Sequence, residues 1–203
     1  MSYIKICGLT KEEDIEYVNK YKPDFVGFVF AKSKREVTKE VAKGLTKNLC
    51  SDILPIGVFV NESIVKICEI VNECKLSGVQ LHGDENNIFI NDLREKLPKT
   101  IIIKAVKVLS EMSVFDAYEI SADYILFDSL RGGSGETFEW ELIKNFKKDY
   151  FLAGGLHSEN IGLALDKLNP YAVDISSGVE LFGVKNEELI AEFILIVRGR
   201  NEK

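Results

Sequence analysis

A chain of 203 residues, 46% hydrophobic and 29% charged, has the make-up of an ordinary globular protein and, folded as one unit, buries roughly 70% of the surface its unfolded chain exposes. Its formal charge of -6, from 26 Lys and Arg against 32 Asp and Glu with the signs interspersed, offers no basic stripe to a nucleic acid. No apolar run nears the ~20 residues that cross a bilayer, and Met1-Ser-Tyr-Ile-Lys5 lacks the layout of a signal peptide, so a cytoplasmic protein without nucleic-acid or membrane partners is expected. Cys7, Cys50, Cys68 and Cys74 match neither a zinc motif nor a Cys-x-x-Cys pair, and reduced thiols are expected.

In chain order, short apolar runs alternate with amphipathic segments. Tyr3 to Ile6 reads as a strand with Cys7 at its tip and Gly8 ending it. Thr10 and Glu13 suggest a capping box opening a helix to about Tyr21. Asp24–Phe30, apolar almost throughout, suits a parallel strand buried on both faces. The basic loop Ala31-Lys-Ser-Lys-Arg35 follows, and Thr38 opens a helix to about Leu49. Leu54–Val60 is the third strand, with Asn61 expected to cap a helix through Ile64, Ile67, Cys68 and Val71. Gly78–His82 is the fourth strand, with a helix through Phe89 and Leu93. Thr100–Val106 is the fifth, with a weaker helix from Ser113 to Ile120. Tyr124–Asp128 is the sixth, followed by the glycine-rich Arg131–Gly135 and a helix through Trp140 and Ile143. Tyr150–Ala153, Gly154-Gly155 and a helix from about Glu159 to Leu168 make the seventh unit. Tyr171–Ile175, Ser176-Ser-Gly-Val-Glu180 and a helix from about Asn186 to Val197 make the eighth.

Strand and helix in strict alternation specify a parallel sheet with helices outside it. Eight such units over residues 1–203, with no linker between them, predict a single-domain (β/α)8 barrel of near-minimal length. An open, doubly wound sheet is the alternative, and it would usually carry a nucleotide fingerprint after its first strand. Cys-Gly-Leu-Thr-Lys is not one.

Chemistry in such a barrel sits at the C-terminal ends of the strands, and alternation along each strand decides which side chains share a face. Polar residues at those ends select an interior mouth of Lys5, Cys7, Gln80, His82, Lys104, Asp128, Asp174 and Ser176. Buried charges need partners, and the first and eighth strands become neighbours on closure, so Lys5 and Asp174 are predicted to pair. Gly154 and Gly155, with Ser176, Ser177 and Gly178, bring two small-residue loops to one rim, where barrels frequently bind phosphate. The loop Gly132–Gly135 could add amides. Cys7 and Asp128 could face one another as base and acid. His82 and His157 have no spaced partner ligand, and no metal site is suggested. Arg35, at a strand's C-terminal end, could reach inward to hold a carboxylate.

These motifs resemble the phosphoribosylanthranilate isomerase family of tryptophan biosynthesis. The resemblance runs over nearly the whole chain: Lys5-Ile-Cys-Gly8, Gly27-Phe-Val-Phe30, Ser33-Lys-Arg35, Gly57–Asn61, Val79–Asp84, Asp128, Gly132–Gly135 with Phe138 and Trp140, Leu152–Leu156, and Asp174–Glu180. It implies an Amadori rearrangement of a phosphorylated small molecule, N-(5-phosphoribosyl)anthranilate, to 1-(2-carboxyphenylamino)-1-deoxyribulose 5-phosphate. By the family pattern Asp128 is the general acid, Cys7 the general base, Arg35 the grip on the anthranilate carboxylate, and the last two loops the grip on phosphate. No cofactor is implied, because the substrate's own iminium is the electron sink. Monomer and homodimer both stay open. Lys34 stands where the family commonly has proline, and Glu36 where an aromatic or small residue is more usual. A free thiol is only a few per cent thiolate at neutral pH, so Cys7 is expected to need a nearby cation, with Lys5 the nearest in sequence.

Overall fold

The computed structural model describes residues 2–129 and 139–201. Eight parallel strands close into a barrel in sequence order. They are β1 (Tyr3–Cys7), β2 (Phe25–Val29), β3 (Leu54–Phe59), β4 (Gly78–Leu81), β5 (Ile101–Lys107), β6 (Tyr124–Asp128), β7 (Tyr150–Leu152) and β8 (Ala172–Ile175). Closure pairs β1 with β8, Lys5 opposite Asp174. The connecting helices are α1 (Glu12–Tyr21), α2 (Lys39–Lys47), α3 (Ile64–Cys74), α4 (Asn87–Lys96), α5 (Glu111–Asp116), α6 (Ser158–Lys167) and α7 (Glu187–Asn201). Among the described residues no helix is long and apolar enough to cross a membrane.

The strands lack a polar face because both faces are covered. Ile4, Ile6, Phe28, Phe59, Leu81, Phe127 and Val173 join the layer between barrel and helices. Phe25, Ile56, Ile103, Leu126, Phe151 and Ala172 fill the interior. The interior's N-terminal end is aromatic: the Tyr124 and Tyr171 rings stack with centroids 4.5 Å apart, and Phe151 meets Phe25 and Tyr124 edge-on at 5.5 Å. Such pairs add roughly 0.5–1.5 kcal/mol each beyond the area they bury.

Helix starts differ from the reading above in two places. At α1 the capping carboxylate is Asp14, whose Oδ2 accepts from the amides of Thr10 (2.7 Å) and Lys11 (3.3 Å). Lys11, not Thr10, is the N-cap. At α3 the cap is Ser63, accepting from Lys66 N–H, while Asn61 takes a positive φ of 51° and hydrogen-bonds Asp84 across to the next loop. Thr38 does cap α2. The weak helix after β5 is one short α-helix continued by a 3-10 turn at Ala117–Glu119, and Trp140–Ile143 is a 3-10 turn. The predicted Gly132–Gly135 loop lies outside the described residues. A small hairpin, β9 (Glu180–Leu181) and β10 (Val184–Lys185), was not anticipated; its turn residues Phe182 and Gly183 both have positive φ.

Candidate active site

The C-terminal mouth of the barrel holds a cavity of about 310 Å³, lined by Cys7, Arg35, Gln80, His82, Asp128 and Asp174, together with Gly154, Gly155, Ser176 and Ser177. Strand alternation delivers this set. Lys5 and Cys7 share the inner face of β1 while Ile4 and Ile6 pack outward. Cys7 is opposite Gly27 on β2, and a Cβ at residue 27 would stand 2.5 Å from the Cys7 sulfur. The glycine is therefore the space in which the thiol sits.

The predicted ion pair is present: Lys5 Nζ lies 3.0 and 2.9 Å from the two Asp174 oxygens, and Lys5 is fully buried. Burial alone would lower the ammonium's pKa, but Asp174 and Cys7 together raise it above its usual value. The Cys7 thiol is pushed up, chiefly by burial. Lys5 and Lys185 pull it down and Asp174 opposes them. Lys5 does act on the thiol in the expected direction, but burial outweighs it, with Asp174 adding to the rise.

Asp128, at the tip of β6, accepts from the Ser129 amide at Oδ1 (2.7 Å) and has His82 Nε2 3.3 Å from Oδ2. Gly154, with φ +83°, backs directly onto it: a Cβ there would be 2.9 Å from Asp128 Oδ1 and 2.6 Å from the Ser129 nitrogen. Lys104 is not in the mouth. It pairs in register with Leu81 and Ile125, whose side chains face the helices, and its Nζ bonds Glu85 (3.0 Å) and the Gly83 carbonyl (2.6 Å). Polarity alone suggested the interior, and strand parity overrules it.

Arg35 crosses the place where Gly8, at φ +83°, lacks a side chain. Its Nε and Nη2 donate to Glu180 Oε1 (2.6 Å) and Oε2 (2.9 Å) in a two-pronged pair. Buried Lys185 donates to the same carboxylate at 2.8 Å, and Lys34 stands 3.4 Å from it. Burial would raise Glu180, yet Arg35 and Lys185 hold it down at about 2. Burial in turn lowers Lys185, with Glu180 opposing. Lys34 thus joins a charge cluster on this rim, and Glu36 faces solvent.

Gly154, Gly155, Ser176 and Ser177 line the cavity, and no hydrogen bond among the described residues uses the amides of Gly155 or Ser177. Two adjacent loops thus bring amides that no described residue uses to the lining of one cavity, and backbone amides are groups that hold an anion. Gly178 is placed differently: a Cβ there would stand 2.0 Å from the Leu156 carbonyl oxygen, so it is a contact between the two loops, outside the cavity lining. Among the described residues no three His, Cys, Asp or Glu side chains gather as metal ligands would.

The sequence matches the family model described as N-(5'phosphoribosyl)anthranilate (PRA) isomerase over residues 4–195. The chain belongs to the N-(5'-phosphoribosyl)anthranilate isomerase family. An isomerase of that name from Endomicrobium trichonymphae is 44% identical over 203 residues, covering 98% of this chain and 100% of the relative. One from Clostridium acetobutylicum is 46% identical over 207 residues, 98% of each chain. Among solved structures, one of phosphoribosyl anthranilate isomerase in complex with reduced 1-(o-carboxyphenylamino)-1-deoxyribulose 5-phosphate is 37% identical with a TM-score of 0.86, covering 98% of this chain and 100% of that one. Another, described as monomers of the dimeric Thermotoga maritima isomerase, has the same identity and coverage with a TM-score of 0.88.

Gly27, Glu180, Lys185 and, at the tip of β5 opposite Asp128, Lys107 were not singled out as site residues from sequence. Glu180 could have been: an arginine at a half-buried rim needs a counter-charge, and the small-residue loop after β8 ends in one.

Proposed function

We propose that this mouth catalyses the isomerisation for which the family is named, a step of tryptophan biosynthesis. N-(5-phosphoribosyl)anthranilate becomes 1-(2-carboxyphenylamino)-1-deoxyribulose 5-phosphate. Asp128 is the general acid: it protonates the furanose ring oxygen, and the C1–O bond breaks as the anilino nitrogen's lone pair forms the Schiff base. Cys7 is the general base, removing the C2 proton to give an enolamine that relaxes to the ketone. Arg35 holds the anthranilate carboxylate through the guanidinium edge that Glu180 leaves open. The loops carrying Gly154, Gly155, Ser176 and Ser177 hold the phosphate, and Gly178 keeps those loops in contact. Lys5, Asp174, Gln80 and His82 support the two reacting groups.

The observation that carries this reading is the meeting of Cys7 and Asp128 in one cavity whose rim also offers Arg35 and uncommitted loop amides. General acid or base catalysis is worth roughly 10²–10⁴ in rate. Cys7→Ala and Asp128→Asn are therefore each expected to lower kcat by about that factor with KM little changed. Conversion of the phosphoribosyl substrate by the purified chain is the measurement, and near-wild-type turnover in either variant removes that residue from the mechanism.

A further inference from the structure

A second cavity, of about 330 Å³, adjoins the first on the far side of Asp128. Val60, His82 and Asp128 line both. Its other walls include Asn61, Asp84 and Lys107, so it is polar, and the charged groups facing His82 there are Asp84, Lys107 and Asp128 itself. His82 is the partition. One ring nitrogen, Nε2, is 3.3 Å from Asp128 Oδ2, and the other, Nδ1, is 2.9 Å from Gln80 Nε2. The Gln80 carbonyl oxygen is buried with no hydrogen-bond partner among the described residues.

An amide's oxygen and nitrogen are exchanged by a half-turn of the group, and their assignment follows the hydrogen-bond network. A half-turn of Gln80 places its side-chain oxygen at His82 Nδ1, where it accepts from Nδ1–H, and puts the amide nitrogen in the oxygen's former place. Either orientation partners one end of the amide and leaves the other end buried, at about 1–3 kcal/mol, so Gln80 anchors the ring at Nδ1 in both. With the oxygen at Nδ1, the ring keeps its proton there and Nε2 has a lone pair, beside Asp128 and at the boundary of the polar cavity. That nitrogen can take a proton from water in the second cavity and hand it to the carboxylate.

The reaction calls for such a delivery. Asp128 gives one proton to the ring oxygen and Cys7 takes one from C2. Ketonisation then adds a proton at C1 and frees one from the C2 hydroxyl. Substrate and product are isomers, so each turnover leaves Asp128 one proton short and Cys7 one over until protons move. Resting on Asp128 as the acid, we propose that His82, anchored by Gln80, reprotonates Asp128 from solvent in the second cavity, a route separate from the one that admits substrate. His82 acts through Asp128 and does not touch the reacting atoms.

The test is chemical rescue. His82→Ala is expected to lower kcat roughly 10- to 100-fold, part of the range for a lost proton-transfer group, with KM for the phosphoribosyl substrate unchanged. Added imidazole, which fits the enlarged cavity, is expected to restore kcat with saturation. His82→Gln, which preserves polarity but cannot take up and release a proton near neutral pH, should lose the same activity and be restored less, and it replaces the alanine variant if that fails to fold. Wild-type kcat in both variants would overturn the proposal and show that Asp128 recovers its proton from the enolamine. A loss that imidazole does not relieve would also overturn it, assigning His82 to structure alone. Asp128→Asn is the control for the underlying reading: full activity there would sink the acid assignment itself, whatever His82 does.

Discussion

The two ends of the barrel interior are built from opposite materials. At the N-terminal end, Tyr3, Phe25, Tyr124, Phe151 and Tyr171 fill the space with rings in edge-on, tilted and stacked contact. At the C-terminal end the same strands, four residues on, present Cys7 and Asp128, each set beside a glycine that makes room for it. The first end is held by close packing, which needs only shape and apolar surface. The second must keep charges dry, and it pairs Lys5 with Asp174, and Lys185 and Arg35 with Glu180. One end therefore supplies stability and the other uses part of it, since a buried pair is seldom more stable than the apolar residues that could replace it.

Substitutions at the two ends should separate these contributions. The largest effects on turnover belong to Cys7 and Asp128, and those variants should unfold near the wild-type midpoint. Phe151→Ala, at a fully buried ring, is expected to cost about 3–5 kcal/mol of stability, read by denaturant melts, while leaving kcat intact in the folded fraction. A parallel fall in kcat would mean that the two ends are coupled. Lys5→Met sits between them. Removing one partner of a buried pair costs about 3–5 kcal/mol, whereas replacing both often restores stability. Lys5→Met with Asp174→Leu should therefore refold to near wild-type stability yet remain slow, because the cation nearest Cys7 is gone. Recovery of activity in that double variant would remove Lys5 from any role toward the thiol.

The smallest effects are expected in pH dependence. Because the Cys7 pKa is raised, the thiolate fraction, and with it kcat, should keep climbing with pH past the ordinary thiol value of ~8.5. A plateau below pH 8 would show that the base is not a free-standing thiol. Glu180 has a lowered carboxyl pKa of about 2, so its contribution to stability is fully present above the ordinary glutamate range and is lost as pH falls toward 2. Glu180→Gln should accordingly flatten the acid side of the stability profile, and should raise KM by freeing Arg35 to wander. An unchanged acid limb would mean that Arg35 and Lys185 find other partners.

Much of this was legible beforehand because periodicity is a local property. Eight apolar runs alternating with amphipathic segments fix the barrel, and alternation within β1 puts Lys5 and Cys7 on one face. The partner of Lys5 could be named because closure makes β8 its neighbour. What escaped detection depended on distances that spacing does not encode. Asp14 wins the first cap because its short carboxylate reaches two amides at once. Strand parity turns Lys104 outward, but that Glu85, 19 positions earlier, waits there for its charge is a matter of distance. The Glu180 cluster assembles only when a two-residue hairpin strand brings Lys185 back beside it.

The glycine behind Asp128 has a further consequence for anyone recombining barrels. Gly154 lies in a loop proposed to hold phosphate, yet its missing side chain is what lets the Asp128 carboxylate and the Ser129 amide pack where they do. On the proposed roles, anion grip and proton donor are thus a single part split over two strand–loop units. A half-barrel exchange or loop graft with its seam between β6 and β7 would import a foreign backbone against Asp128. Seams that keep those two units together should yield working chimeras more often.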